Sequence, residues 1–193
     1  AAEETNGSMA AVLGLDNETV ISLTEQMNNV YVANYNSPGQ VVITGDKEEI
    51  NNNLDKFKTA GAKRVIPLAV SGAFHSPLIK KAEIEFSEFV NHFDFNNSNI
   101  PVYTNVDAQA ETNGERFKEK LSKQICSSVL WTQTINNMVN DGAMDFIEAG
   151  PGKVLSGLNK KINSELITLN IFDNESLNNV ITELTNDKEK ELV

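Results

Sequence analysis

The sequence is poor in the residues that disulfides, metal sites and polyanion-binding surfaces require. It has one cysteine, Cys126, so no disulfide can close within the chain. The fold must be held by its core, as suits a reducing compartment. It has two histidines, His75 and His92, too far apart for metal-ligand spacing and with no cysteine cluster to join. It has two arginines, Arg64 and Arg116, and 16 bases against 27 acids. A net charge of −11 argues against the dense positive face of a nucleic-acid binder. Apolar runs are short, as at Ile66 to Val70, so no segment spans a bilayer. No basic, apolar, small-residue series marks a secretory leader. Repeats and long linkers are absent, and the start at Ala1-Ala2-Glu3-Glu4 carries no initiator methionine, as expected of a processed, cropped or partial chain. A nucleophile elbow, G-x-S-x-G, is missing too. Ser71 has no glycine two residues before it, and Ser156 falls inside an expected helix.

What is present reads as a globular α/β protein. Over 193 residues, 40% are hydrophobic and 22% charged, enough for one large domain or two small ones. Ser8 to Leu15 is strand-like. Asp16 is a candidate N-cap for a helix whose face is Val20, Leu23 and Met27. Val30 to Tyr35 reads as a strand, Asn36-Ser37-Pro38-Gly39 as a turn and Gln40 to Thr44 as the returning strand. Asp46-x-x-Glu49 resembles a capping box before the helix face of Ile50, Leu54 and Phe57, which Gly61 ends. Ala62 to Val70 is the next strand. The order β-α-β-β-α-β is that of a ferredoxin-like unit.

The second half alternates strand and helix. Ser76-Pro77 offers an N-cap and a first-turn proline, followed by a stripe of Leu78, Ala82, Phe86, Phe89 and Phe93. Ile100 to Asn105, Met144 to Glu148 and Leu166 to Phe172 read as strands. Helix faces lie at Phe117, Leu121 and Ile125, at Trp131, Ile135 and Met138, at Leu155, Leu158 and Ile162, and from Leu177 to Leu184. Strands separated by helices predict parallel βαβ units, here three strands of an incomplete doubly wound sheet.

His75 is the main chemical candidate. It follows a strand and precedes a helix start, the position where α/β proteins place ligands. The positive end of a helix dipole works against a cation there, and a general base must be neutral. The plainer reading is a histidine that seals a loop. His92, late in an amphipathic helix, reads as a surface residue. Cys126 lacks an activating context. Gly150-Pro151-Gly152-Lys153 before a helix reads as a turn, with anion binding through free amides the alternative.

Several segments then match one family in order: Met9-Ala10-Ala11-Val12-Leu13-Gly14-Leu15, Asn36-Ser37-Pro38-Gly39-Gln40-Val41-Val42-Ile43-Thr44-Gly45, Ala60-Gly61-Ala62-Lys63-Arg64, Gly72-Ala73-Phe74-His75-Ser76 and Glu148-Ala149-Gly150-Pro151-Gly152-Lys153-Val154-Leu155. Together they resemble malonyl-CoA:acyl carrier protein transacylases, the acyltransferases of type II fatty acid synthesis, over roughly the C-terminal two-thirds of that family. The resemblance implies an α/β fold with a ferredoxin-like subdomain at 6–70 and the C-terminal part of an α/β-hydrolase-like doubly wound core at 71–193. It implies two-step malonyl transfer through an acyl-serine. His75 would be the base and Gln124 would supply a main-chain carbonyl that orients it, where a triad would use Asp or Glu. Phe74, in Ala73-Phe74-His75-Ser76, would wall the pocket against an α-methyl branch, and Asn36 would lie near the pocket.

The resemblance implies no cofactor, the coenzyme A thioester being substrate. The implied partners are malonyl-CoA, an acyl carrier protein and the absent N-terminal segment that carries the serine elbow; nucleic acid and membrane are not implied. That segment would also bring the carboxylate-clamping arginine, for which Arg64 is no substitute, and the glutamine-rich oxyanion loop. Lys80, Lys81, Lys153, Lys160 and Lys161 are candidates for meeting an acidic carrier. Without the elbow the chain alone is expected to be inactive. The alternatives are a non-catalytic binding piece and the acyltransferase domain of a modular polyketide or fatty acid synthase. A cytoplasmic location is expected, with a plastid also consistent.

Overall fold

Two aspartates set where the first helices begin. Asp16 Oδ1 accepts from the Thr19 amide at 2.8 Å and opens α1 (Asn17–Thr24). Asp46 Oδ1 accepts from the amides of Glu48 at 3.0 Å and Glu49 at 2.9 Å and opens α2 (Lys47–Thr59). The reciprocal limb of a capping box is not made. The Asp46 amide donates to the Asn29 carbonyl at 3.0 Å, and Glu49 Oε1 receives the Asn28 amide at 3.4 Å. The computed structural model that shows this describes residues 5–190. The Ala1–Glu4 start and the end of the 71–193 segment lie outside them.

The chain divides into two compact units, Ala1–Asn137 and Met138–Val193. In the first, β1 (Gly7–Leu13), β2 (Val30–Ser37), β3 (Gln40–Asp46) and β4 (Arg64–Pro67) form an antiparallel sheet in the order β2-β3-β1-β4. With α1 and α2 between the strands, the element order is β-α-β-β-α-β. Alternation of side chains sends Ala10, Val12, Val41 and Ile43 to the face packed with Ile50 and Phe57 of α2, where all six are at most 1% exposed. Met9, Ala33 and Val42 form a smaller cluster with Leu68.

Two boundaries differ from the sequence reading. Asn36 lies inside β2, not in the turn, because Ser37 pairs with Gln40 and only Pro38-Gly39 closes the hairpin, with Gly39 at φ 70°. The fourth strand stops at Pro67, well short of Val70. Beyond it the Leu68 amide still reaches the Met9 carbonyl at 2.9 Å, and the Val70 amide then turns back to the Leu68 carbonyl at 2.9 Å, a three-residue turn that ends the extended run.

A 3-10 turn at Pro77–Ile79 leads into α3 (Lys80–Val90). The expected stripe is only partly covered: Phe89 and Phe93 are 59% and 49% exposed, their rings 5.0 Å apart. The segment around Ile100 is not a third parallel strand. β5 (Val102–Tyr103) pairs antiparallel with β6 (Ala110–Glu111), a strand the sequence did not signal. The cause is the tight connection. Asp107 Oδ1 accepts from Thr104 Oγ1 at 2.6 Å and from the Gln109 amide at 3.1 Å, which folds the chain back at once. Then come α4 (Gly114–Gln124) and α5 (Trp131–Asn140).

The second unit contains β7 (Asp145–Ala149), α6 (Val154–Ile162), β8 (Ile167–Ile171) and α7 (Asn174–Lys190). The two strands are parallel, in register from Asp145–Ile167 to Ala149–Ile171. Leu158, Leu166 and Val180 are its buried apolar residues among those described. Among the described residues no helix is long and apolar enough to cross a membrane.

Candidate active site

The loop that carries His75 is seated on β1 where β1 has no side chain. A Cβ on Gly7 would lie 2.2 Å from the Ala73 nitrogen and 2.7 Å from the Gly72 carbonyl carbon. Only glycine permits that approach, and Gly72 and Ala73 are buried there. The turn is closed by Ser76, whose Oγ donates to the Ala73 carbonyl at 2.7 Å and accepts from the Leu78 amide at 3.3 Å. Ser76 is fully buried. Between these fixed points His75 takes φ 59°, a left-handed conformation that an L side chain adopts at a cost and that recurs at functional sites.

The half-buried imidazole reaches α4. Its Nδ1 lies 3.2 Å from the main-chain carbonyl oxygen of Gln124, the last residue of that helix. A helix end leaves its carbonyls without intrahelical partners, so this oxygen can take both the imidazole and the Ser127 amide, the latter at 3.3 Å. A carbonyl only accepts, so in the neutral ring this contact selects the tautomer with hydrogen on Nδ1 and the lone pair on Nε2. Phe74, 38% exposed, precedes His75 on the same turn. Asn36 is partly buried near the end of β2 and makes no hydrogen bond with His75 or Gln124 among the described residues. An apolar recess of about 370 Å³, lined by Phe95, Val102, Tyr103, Phe117 and Leu121, borders Gln124.

The pose of α4 has a support that no motif announced. Lys120, buried one turn before Gln124, pairs with Asp107 at 2.9 Å and Glu111 at 3.2 Å, and Glu111 also receives Arg116 at 3.1 Å. Burial works against the charge on Lys120, but the hydrogen bonds to Asp107 and Glu111 outweigh it and hold its pKa above the usual lysine value. Neither Gly7 nor this network had a signal in the sequence, because each depends on segments that only the fold brings together.

The second histidine, the cysteine and one of the candidate lysines make local contacts. His92 is exposed just beyond α3, Nδ1 at 3.2 Å from the Phe89 carbonyl. Burial, with a hydrogen bond to Glu83, pushes the Cys126 thiol up to about 11, so it is no nucleophile at neutral pH. Lys80 is engaged by Glu83 at 2.6 Å. The Gly150-Pro151-Gly152-Lys153 turn has no anion vacancy. Glu148 fills it, accepting from the amides of Leu155 at 3.0 Å and Ser156 at 2.8 Å, from Ser156 Oγ and from Asn170 Nδ2 at 3.0 Å. Burial works to raise the Glu148 pKa, but these hydrogen bonds prevail and hold it below the ordinary value.

Comparison with known proteins points to one family. The family model for the acyl transferase domain matches residues 1–190. The chain is 46% identical over 164 residues to the malonyl CoA-acyl carrier protein transacylase of Staphylococcus aureus strain MSSA476, covering 83% of this chain and 53% of that protein. It superposes with TM-score 0.91 and 34% identity on the crystal structure of the malonyl CoA-acyl carrier protein transacylase from Clostridium perfringens, covering 97% of this chain and 60% of the other. A holo complex of a type II PKS acyl-carrier protein with its malonyl-transacylase superposes with TM-score 0.88 and 37% identity, covering 94% and 59%. The chain spans about half the length of the curated relatives it matches.

Proposed function

The chain belongs to the acyl transferase domain family, and we propose that it supplies the histidine-bearing part of an enzyme that transfers malonyl from coenzyme A to acyl carrier protein. The observation that carries this is the His75 Nδ1 contact with the Gln124 carbonyl, which leaves Nε2 free to accept a proton. A serine on the absent N-terminal elbow attacks the malonyl thioester carbonyl while Nε2 takes the hydroxyl proton. The tetrahedral adduct expels the coenzyme A thiolate, which leaves with that proton. The carrier's pantetheine thiol then attacks the acyl-serine, Nε2 takes the thiol proton and returns it to the departing serine oxygen. The Gln124 carbonyl stabilises the transient imidazolium, as a carboxylate does in a Ser-His-Asp triad.

Phe74 and Asn36 serve as substrate-binding residues in this reading. The aromatic wall favours malonyl over a branched unit by about 1–3 kcal/mol, the range for excluding a methyl from a pocket. The sheet order β2-β3-β1-β4 supports a ferredoxin-like subdomain at 6–70. The residues 71–193 are then the C-terminal part of a hydrolase-like core, whose central strands come with the missing segment. A pair of parallel strands with exposed apolar side chains fits that role. The reading needs no cofactor. It places the enzyme in the cytoplasm, where malonyl-CoA and the carrier meet.

Replacing His75 with alanine in the complete enzyme tests it. Malonyl transfer is expected to be abolished while malonyl-CoA binding persists, and full turnover would remove His75 from the mechanism. Intact mass after incubation with malonyl-CoA is the companion measurement. No malonyl adduct is expected on this chain alone, and one would locate a nucleophile within it.

A further inference from the structure

The carbonyl that holds His75 sits at a helix end, and helix ends fray unless something pins them. Here the pin is the side chain of the same residue. Gln124 Nε2 donates to the Ser127 carbonyl at 3.0 Å and to the Ser128 carbonyl at 3.4 Å, folding the chain back over the end of α4. Its Oε1 is buried without a partner, so the amide is useful here for what its nitrogen donates.

The segment it grips is itself fastened to β2. Ser128 Oγ donates to the Val32 carbonyl at 2.6 Å. The Val129 amide donates to the Ala33 carbonyl at 2.8 Å, and its carbonyl accepts from the Tyr35 amide at 2.9 Å, an isolated parallel bridge. Thr132 Oγ1 donates to the Tyr35 carbonyl at 3.0 Å. Ala33 is fully buried within the four-stranded sheet, so β2 is a firm anchor. Asn36 follows directly in the same strand. Residues 127–132 are thus a strap between the strand that carries Asn36 and the carbonyl that meets His75.

We infer that the Gln124 side chain, together with the Ser128 hydroxyl and the strap they hold, is a positioning element that aims the Gln124 carbonyl at His75 Nδ1. This rests on the reading of His75 as the base, and it goes beyond a main-chain role, for which any side chain at 124 would serve.

Gln124→Met separates the two. It keeps the backbone carbonyl and approximate volume but removes the donor. In the 193-residue chain, ring ¹⁵N shifts read the proportion of imidazole with hydrogen on Nδ1. The Nδ1–H to Nε2–H ratio of His75 is expected to fall roughly two- to tenfold, the fold-change of one ordinary hydrogen bond. His92 is the internal control and stays unchanged. Ser128→Ala shifts the His75 ratio in the same direction, by less. An unaltered His75 ratio in a folded Gln124→Met chain overturns the inference. Should that variant fail to fold, an unaltered ratio in Ser128→Ala does so. A fully active His75→Ala enzyme would dispose of the base and leave this readout standing, so the two failures are distinguishable.

Discussion

In the four-stranded sheet Val41 and Ile43 are fully buried, whereas in the parallel pair Ile147 and Ile167 are 49% and 52% exposed. Both are β-branched residues in strands, so propensity does not separate them. Neighbours do. The first sheet has paired strands and two capped helices that close one face over Phe57. The second has two parallel strands, an arrangement that proteins otherwise cover on both faces and extend at both edges. One sheet carries its own core, while the other leaves apolar side chains of both strands exposed.

The largest effect expected from this contrast is at Phe57. Phe57→Ala should cost about 3–5 kcal/mol, the range for emptying a fully buried aromatic site. Ile147→Ala should stay within about 0.5 kcal/mol, as exposed sites do. Urea midpoints of the two variants check this, and equal losses would break the comparison. Supplying the elbow-bearing segment should sharpen it, by making Ile147→Ala costly as well.

Gly7→Ala comes next, because it strikes the self-sufficient sheet at the point where it supports the site. A methyl 2.2 Å from the Ala73 nitrogen cannot be accommodated in place. About 1–3 kcal/mol of stability should be lost, the usual cost of overpacking. The His75 ring signals should shift with it, and an unmoved ring would mean that the loop finds its pose without β1.

Glu148, in the second unit, gives an effect at the low end of that range. Glu148→Gln should cost about 1 kcal/mol, the order of one ordinary hydrogen bond, since the Gln amide keeps one acceptor oxygen. Faster exchange of the Leu155 and Ser156 amides would report it. The wild-type carboxyl titrates below its ordinary value of 4.5. Its contribution is therefore complete above that value and lost as the pH falls through the lowered one, while Glu148→Gln should show no such acid-dependent loss from this site.

How much of this could be read beforehand varies by residue. Asp16 and Asp46 declared their helices, because a cap is a local interaction within three residues. Ser76-Pro77 did the same for the turn after His75. His75 and Gln124 could be named through the family resemblance, and the structure brings them together across 49 positions. The pairing of Val102–Tyr103 could not be read, because an apolar run does not say which strand it joins. The exposure of Phe89 and Phe93 was equally silent, since periodicity marks an apolar face without showing what lies against it.

The sequence alone determined where helices begin, which faces are apolar, and that no disulfide, elbow serine or histidine metal pair exists in this chain. These follow from residue identity and spacings of a few positions. Only the tertiary structure decided that Gly7 must be bare, that Glu148 occupies the anion position of its own loop, and that the Gln124 carbonyl meets His75. Each depends on atoms more than one helical turn apart in the chain approaching within hydrogen-bond or contact distance, and spacings of a few positions do not encode such approaches.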